Sequence, residues 1–241
     1  MKILKLYNKT IVSILFVIIF LSTPSVKALD KYDKADRVSD YFSGVLLLNE
    51  NKYTKSFDFF KKLNGLETSH TNYSTKYLYS LVNSGNLKRA FDYSKKLEKQ
   101  KLDSVESQII TGVFHLKNSD IDSAKKYFLK AKTRNSGFIL NNYLSSSLYN
   151  WSSLNNNDLN QATLAINKLD ERFENLKKIQ RVFLNCYFDS SNTNSLFEKL
   201  TLNKEIDFSR YNYFYASFIA STGKLEQAKE IINSALKLYP R

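Results

Sequence analysis

The sequence predicts an all-α solenoid of about six helix-turn-helix units stacked in chain order. Three observations carry that expectation. Small or hydroxylated residues recur 34 apart at Ser56, Ala90 and Ala124, and after a slip of four the slot returns at Ala162, Ser195 and Ala228. Larger apolar residues around these positions fall at the i, i+3, i+4 spacing of an amphipathic helix. Only two prolines occur, Pro24 near the start and Pro240 at the end, so nothing interrupts a helix between them. Units of this length, each a helix pair, bury their apolar faces against neighbours and so extend by stacking.

The first element is an export signal, residues 1–28, expected as a helix. Lys2, Lys5 and Lys9 make a basic start, Ile11 to Leu21 is apolar but for Ser13, and Val26-Lys27-Ala28 offers small residues where a signal peptidase cuts. Eleven helical residues span about 16 Å, short of a ~30 Å hydrocarbon core. Membrane attachment would come only through this segment, if it stays uncleaved. No cysteine stands at the cut to take a lipid. A short lead-in, 29–36, follows, and the repeat array is expected over 37–241.

Within the array the units are placed near 37–70, 71–104, 105–138, 143–175, 176–208 and 209–241. Twelve positions before each small slot lie Gly44, Leu78, Gly112, Asn150, Phe183 and Ala216. Seven after lie Leu63, Leu97, Ala131, Leu169, Leu202 and Ala235. Turn-forming residues separate the helices at Asn51, Gly85, Ser119, Asn157, Ser190 and Gly223. Antiparallel helices cross closely only where side chains are small, which assigns Gly44, Gly112, Ala124, Ala216 and Ala228 to crossings. Asn86 and Asp120 precede second helices as caps for their free N–H groups. The fourth unit takes the four extra residues, in the 134–138 connection, and its Asn150 predicts splayed helices. The fifth has Phe183 at the crossing and a short second helix near 194–202.

In the last unit Ala216, Gly223, Ala228, Ile232, Ala235 and Pro240 fall where the tetratricopeptide repeat pattern places small residue, turn, small residue, apolar residue, small residue and terminal proline. From about Arg37 to Arg241 the chain resembles the tetratricopeptide repeat family, in an exported bacterial form. The resemblance implies a right-handed α-α superhelix whose first helices line a concave groove that holds a protein or peptide.

On the repeat register that groove is lined by Tyr41, Val45, Asn49, Tyr79, Asn83, Val113, Trp151, Asn155, Tyr187 and Tyr213. An apolar and aromatic stripe edged by amides suits an extended peptide or an amphipathic helix. Some of these side chains must also serve as intramolecular core. Family members that hold a C-terminal carboxylate place Asn in the groove at slots occupied here by Val45, Tyr79, Val113 and Trp151, which disfavours that mode. At the far end Ile231, Ile232, Leu236 and Leu238 exceed what one preceding helix can bury. That calls for continuation beyond Arg241 or docking on another subunit.

The chain carries 36 basic and 23 acidic residues, a net +13; removing a signal with four basic and no acidic residues leaves +9. Lysine dominates and is spread between acidic residues along the helices, rather than arginine clustered with exposed aromatics, so no specific nucleic-acid site is expected. Attraction to anionic envelope surfaces would be nonspecific. A single cysteine, Cys186, excludes an intrachain disulfide, and its apolar run 182–188 reads as a buried, inert thiol.

No residue set points to catalysis. His70 lies in a polar linker and reads as solvated, while His115 falls on an apolar helix face. Two histidines and one cysteine make no zinc pattern, and no glycine-rich loop cradles a phosphate. Asp170, Glu171 and Glu174 alternate with Arg172, Lys177 and Lys178 as a solvated face. The expectation is therefore a noncatalytic scaffold or adaptor of the periplasm or cell envelope, without cofactor or metal. Its alternative is the helical accessory region of a longer cell-wall-active enzyme or envelope-assembly protein, cut at Arg241.

Overall fold

A computed structural model describes residues 28–134, 137–154, 158–202 and 208–238. Of the export signal expected over 1–28, residues 1–27 lie outside the described residues, as do Asn155, Asn157 and Pro240. Every described element is helical. In order they are α1 (Ala28–Asn49), α2 (Tyr53–Phe60), α3 (Thr71–Asn83), α4 (Leu87–Lys99), α5 (Val105–Lys117) and α6 (Ile121–Thr133), then α7 (Ile139–Ser152), α8 (Leu159–Asn167), α9 (Glu174–Tyr187), α10 (Thr193–Thr201), α11 (Asn212–Ser221) and α12 (Leu225–Leu238). Helix α1 takes in the segment 29–36 that the sequence assigns to a lead-in. No described helix is long and apolar enough to cross a membrane.

The chain divides into two compact units, one ending at Ser84 and the other beginning at Gly85. That boundary falls inside the stretch 71–104 expected as one repeat.

In the first unit α1 crosses α2 at Gly44. A β-carbon there would meet the Phe60 ring at 2.8 Å, so the ring occupies the space a side chain would need. Ser56 Oγ donates to the Gly44 carbonyl oxygen at 2.8 Å, satisfying a hydroxyl inside the same crossing. Phe60 and Leu63 are fully buried. Tyr73 of α3 closes the core from the other side, its hydroxyl donating to the Phe60 carbonyl oxygen at 2.9 Å.

The second unit repeats this crossing in α5 and α6, where Gly112 faces the ring of Phe128. Ala90, Ala124 and Ala131 have no exposed surface, as small slot residues in a tight stack should. In this unit the packing between consecutive helices is strongest for α5 with α6 and weakest for α7 with α8, and α5 also reaches α7. Its lower part holds two apolar clusters: Tyr143, Ile166, Leu169 and Leu184, then Val182, Phe197, Leu200, Tyr215, Ile219 and Ala228.

The turns follow the same period. Asn51, Gly85, Ser119 and Gly223 each have a positive φ, five residues before the slots at Ser56, Ala90, Ala124 and Ala228. Asp120 caps α6 by accepting from Ser123 N at 3.1 Å. Asn86, placed as a cap on sequence grounds, makes no side-chain cap to α4.

The fifth hairpin departs from its expected register. Ser195 is exposed, and so is Leu202; the inward positions belong to Thr193, Phe197 and Leu200. Their spacing reproduces Ala90, Ser94 and Leu97, two residues earlier than the sequence placed it. The cause is a tighter turn. Asp189, rather than Ser190, takes the positive φ, and Thr193 Oγ1 donates to the Ser190 carbonyl oxygen at 2.8 Å, starting α10 early.

Candidate functional site

The sequence-predicted groove residues divide between the two units, and each unit presents its own set. In the first, Tyr41 is half-buried, its ring 4.7 Å from that of His70 and 6.1 Å from that of Phe60. His70 is therefore not the solvated linker residue expected: the aromatic contact holds it at the start of α3, and its Nδ1 is buried without a partner. Val45 is half-buried and Asn49 exposed. Tyr79 is 51% exposed, touching Tyr53 edge-on. Asn83 turns back to donate to the Tyr79 carbonyl oxygen at 2.9 Å, which occupies one amide hydrogen and leaves its oxygen at the surface.

Sequence reasoning passed over a second apolar stripe on α1. Val38, Phe42 and Leu46, at i, i+4 and i+8, are all more than half exposed, with Phe42 at 65%. The helical spacing was legible, but the repeat register directed attention to the adjacent line through Tyr41 and Val45.

In the second unit Trp151 is committed internally. Its Nε1 donates to Gln180 Oε1 at 3.1 Å, and Gln180 Nε2 in turn donates to the Tyr143 hydroxyl at 2.6 Å and to Ser147 Oγ at 3.1 Å. Val113 is half-buried. Tyr187 and Tyr213 are 52% and 67% exposed, each braced edge-on by the next aromatic, Phe188 and Phe214. Neighbouring rings of this kind restrict an exposed tyrosine at small entropic cost, the condition for an aromatic anchor.

Several charged groups are tied into the fold. Glu98 of α4 accepts from Lys130 Nζ at 2.8 Å and from the Tyr127 hydroxyl at 3.0 Å, both on α6, and from Lys95. Burial alone would raise its pKa; these donors outweigh burial and bring it down to about 2. His115 stacks on Tyr127, with rings 5.5 Å apart, and its Nδ1 lies 3.0 Å from Asp120 Oδ2. Hydrogen bonds from Ser123, opposed by burial and joined by His115, hold Asp120 below the usual carboxylate range. Burial pushes the partly buried Cys186 thiol up, away from the thiolate form that reacts. Among the described residues no group of three His, Cys, Asp or Glu side chains is placed to hold a metal. Among the described residues the expected groove positions present exposed aromatic rings, and no acid, base and nucleophile are assembled.

No family model matches the chain, and no curated protein is similar to it in sequence. Solved structures are similar in fold. A chain of the APC/C hetero-tetramer Cut9–Hcn1 superposes with a TM-score of 0.59 at 12% identity, over 85% of this chain and 40% of that one. The C-terminal part of a TPR repeat-containing protein from Cytophaga hutchinsonii gives 0.51 at 12% identity, over 82% and 78%. The fold is thus the all-α hairpin array of tetratricopeptide repeat proteins, and this chain spans less than half of the Cut9–Hcn1 chain it matches.

Proposed function

We propose that the protein is a noncatalytic scaffold that holds a protein partner, working outside the cytoplasm in the periplasm or cell envelope of a bacterium. The observation that carries the reading is the set of exposed, ring-braced aromatics on first helices: Tyr79 in the first unit, Tyr187 and Tyr213 in the second. A fold shared with tetratricopeptide repeat proteins supports it, since stacked helix pairs build extended surfaces for recognition. The extracytoplasmic setting rests on the sequence of residues 1–28 alone.

The test is affinity capture from a detergent-solubilised envelope fraction with the wild-type chain and with a Tyr79→Ala, Tyr187→Ala, Tyr213→Ala variant. These exposed side chains can be removed without opening a core. Proteins retained by the wild type and lost by the variant are the expected result; identical recovery by both sinks the assignment. Cell fractionation with N-terminal sequencing of the recovered protein checks the location, and a cytoplasmic protein beginning at Met1 would overturn it.

A further inference from the structure

Among the hairpins of the second unit, the fourth closes least. Helices α7 and α8 touch along a much shorter stretch than α5 with α6 or α11 with α12. At the crossing position, where α5 has Gly112, α7 has Asn150, whose Nδ2 donates to the carbonyl oxygen of Ala165 at 3.1 Å. An amide is thus wedged between the two helices and holds them apart. The seam it opens is a cleft of about 410 Å³, within the size range of sites that hold side chains or small ligands.

Its lining has two chemistries. Leu164, more than half exposed, and Leu169 form an apolar wall, while Asn150 and Gln161 bring amides. Lys132 and Lys168 also line it, none of the lining residues is acidic, and neither lysine pairs with a carboxylate among the described residues. The Lys132 ammonium rests 4.6 Å from the centre of the Tyr149 ring, which steadies it beside the cleft.

We infer that this cleft takes a short acidic segment of a partner protein. An aliphatic side chain of that segment lies against Leu164 and Leu169, and carboxylates on either side face Lys132 and Lys168. A small inorganic anion would leave the apolar wall unused, and a neutral apolar ligand would leave both cations unused. The amides meet the backbone of an extended peptide. The inference rests on the proposed scaffold role and gives its partner a chemistry, at a site apart from the exposed tyrosines.

The probe is a fluorescent peptide with one leucine between pairs of aspartates, blocked at both ends so that side chains alone carry its charge. Fluorescence polarisation with the full chain should show saturable binding that weakens as salt rises. Asparagine in place of aspartate, or serine in place of leucine, should each abolish it. Lys132→Glu with Lys168→Glu should weaken binding by about tenfold or more, and Asn150→Ala, which lets the hairpin close, should do the same with both lysines in place. Circular dichroism confirms that each variant is folded. Unchanged affinity in the charge-reversed variant overturns the inference. So does displacement by inorganic phosphate with no dependence on leucine, which would mark a simple anion site. Loss of the peptide in the triple tyrosine variant would place it on the other surface and also overturn the inference. Peptide binding retained while envelope capture fails would remove the tyrosine assignment and leave the cleft standing.

Discussion

A β-carbon on Gly112 would stand 2.4 Å from Cε1 of Phe128, so α5 and α6 meet at a distance only a hydrogen atom permits. Replacing a mid-helix glycine by alanine ordinarily gains about 1 kcal/mol of helix propensity. Here the added methyl must push a fully buried ring, and overpacking of that kind costs about 1–3 kcal/mol. Gly112→Ala is expected to be destabilising on balance in denaturant unfolding. Gly44→Ala, with 2.8 Å to Phe60, should show the same sign and a smaller effect.

Lys177 is a cation with a job inside the protein. Its side chain is 4% exposed, and its Nζ donates to the carbonyl oxygens of Asn167 and Leu169 at 3.1 and 3.0 Å, at the end of α8. Glu174 Oε2 lies 3.3 Å away and balances the charge. Lys177→Met keeps the volume and removes the donors, leaving the buried Leu169 carbonyl unpaired at a cost of about 1–3 kcal/mol. A melting temperature unchanged in that variant would show that the cap contributes nothing.

Glu98 makes stability depend on acid. Its carboxyl titrates near 4.5 in an unfolded chain and at about 2 in the fold, because its donors hold the charged form. A depressed pKa means the folded state binds the proton later than the unfolded one. The stabilisation is therefore complete above about pH 4.5 and drains away as the pH falls toward about 2. Glu98→Gln should melt below the wild type at neutral pH, with the gap narrowing to nothing at the acid end. A gap independent of pH would contradict the network.

The two-residue shift in α10 can be checked by paired substitutions. Thr193 is buried and bonds to the turn, whereas Ser195 faces solvent. Thr193→Arg should unfold the fifth hairpin, and Ser195→Arg should change stability by no more than about 0.5 kcal/mol. The reverse order would restore the register read from the 34-residue spacing.

Helices were legible because Ser56, Ala90 and Ala124 repeat at one period and no proline falls among them. The fifth hairpin was not, since its turn is shortened by the left-handed backbone of Asp189, one position before the Ser190 to which the 34-residue count points. The candidate surface was legible only in part. Counting positions places Tyr41 and Trp151 on the same line as Tyr79, but whether a ring faces out depends on what stands beside it. His70 and Phe60 claim Tyr41, and Gln180, almost a full repeat later, claims the Trp151 nitrogen. Asn150 was readable as a misfit at its slot, but not the cleft beside it. The size of that opening depends on how far α8, a short helix of nine residues, can lean away.

In the second unit most helices lean on the one before and the one after, while α7 touches α8 no more than it touches α5. Such a chain has no single keystone. Amide exchange should therefore release protons in graded blocks, slowest around α5 and α6 and sooner where α7 and α8 barely touch. A loosened seam in mid-array can breathe while its neighbours stay shut, admitting a guest without the molecule coming apart.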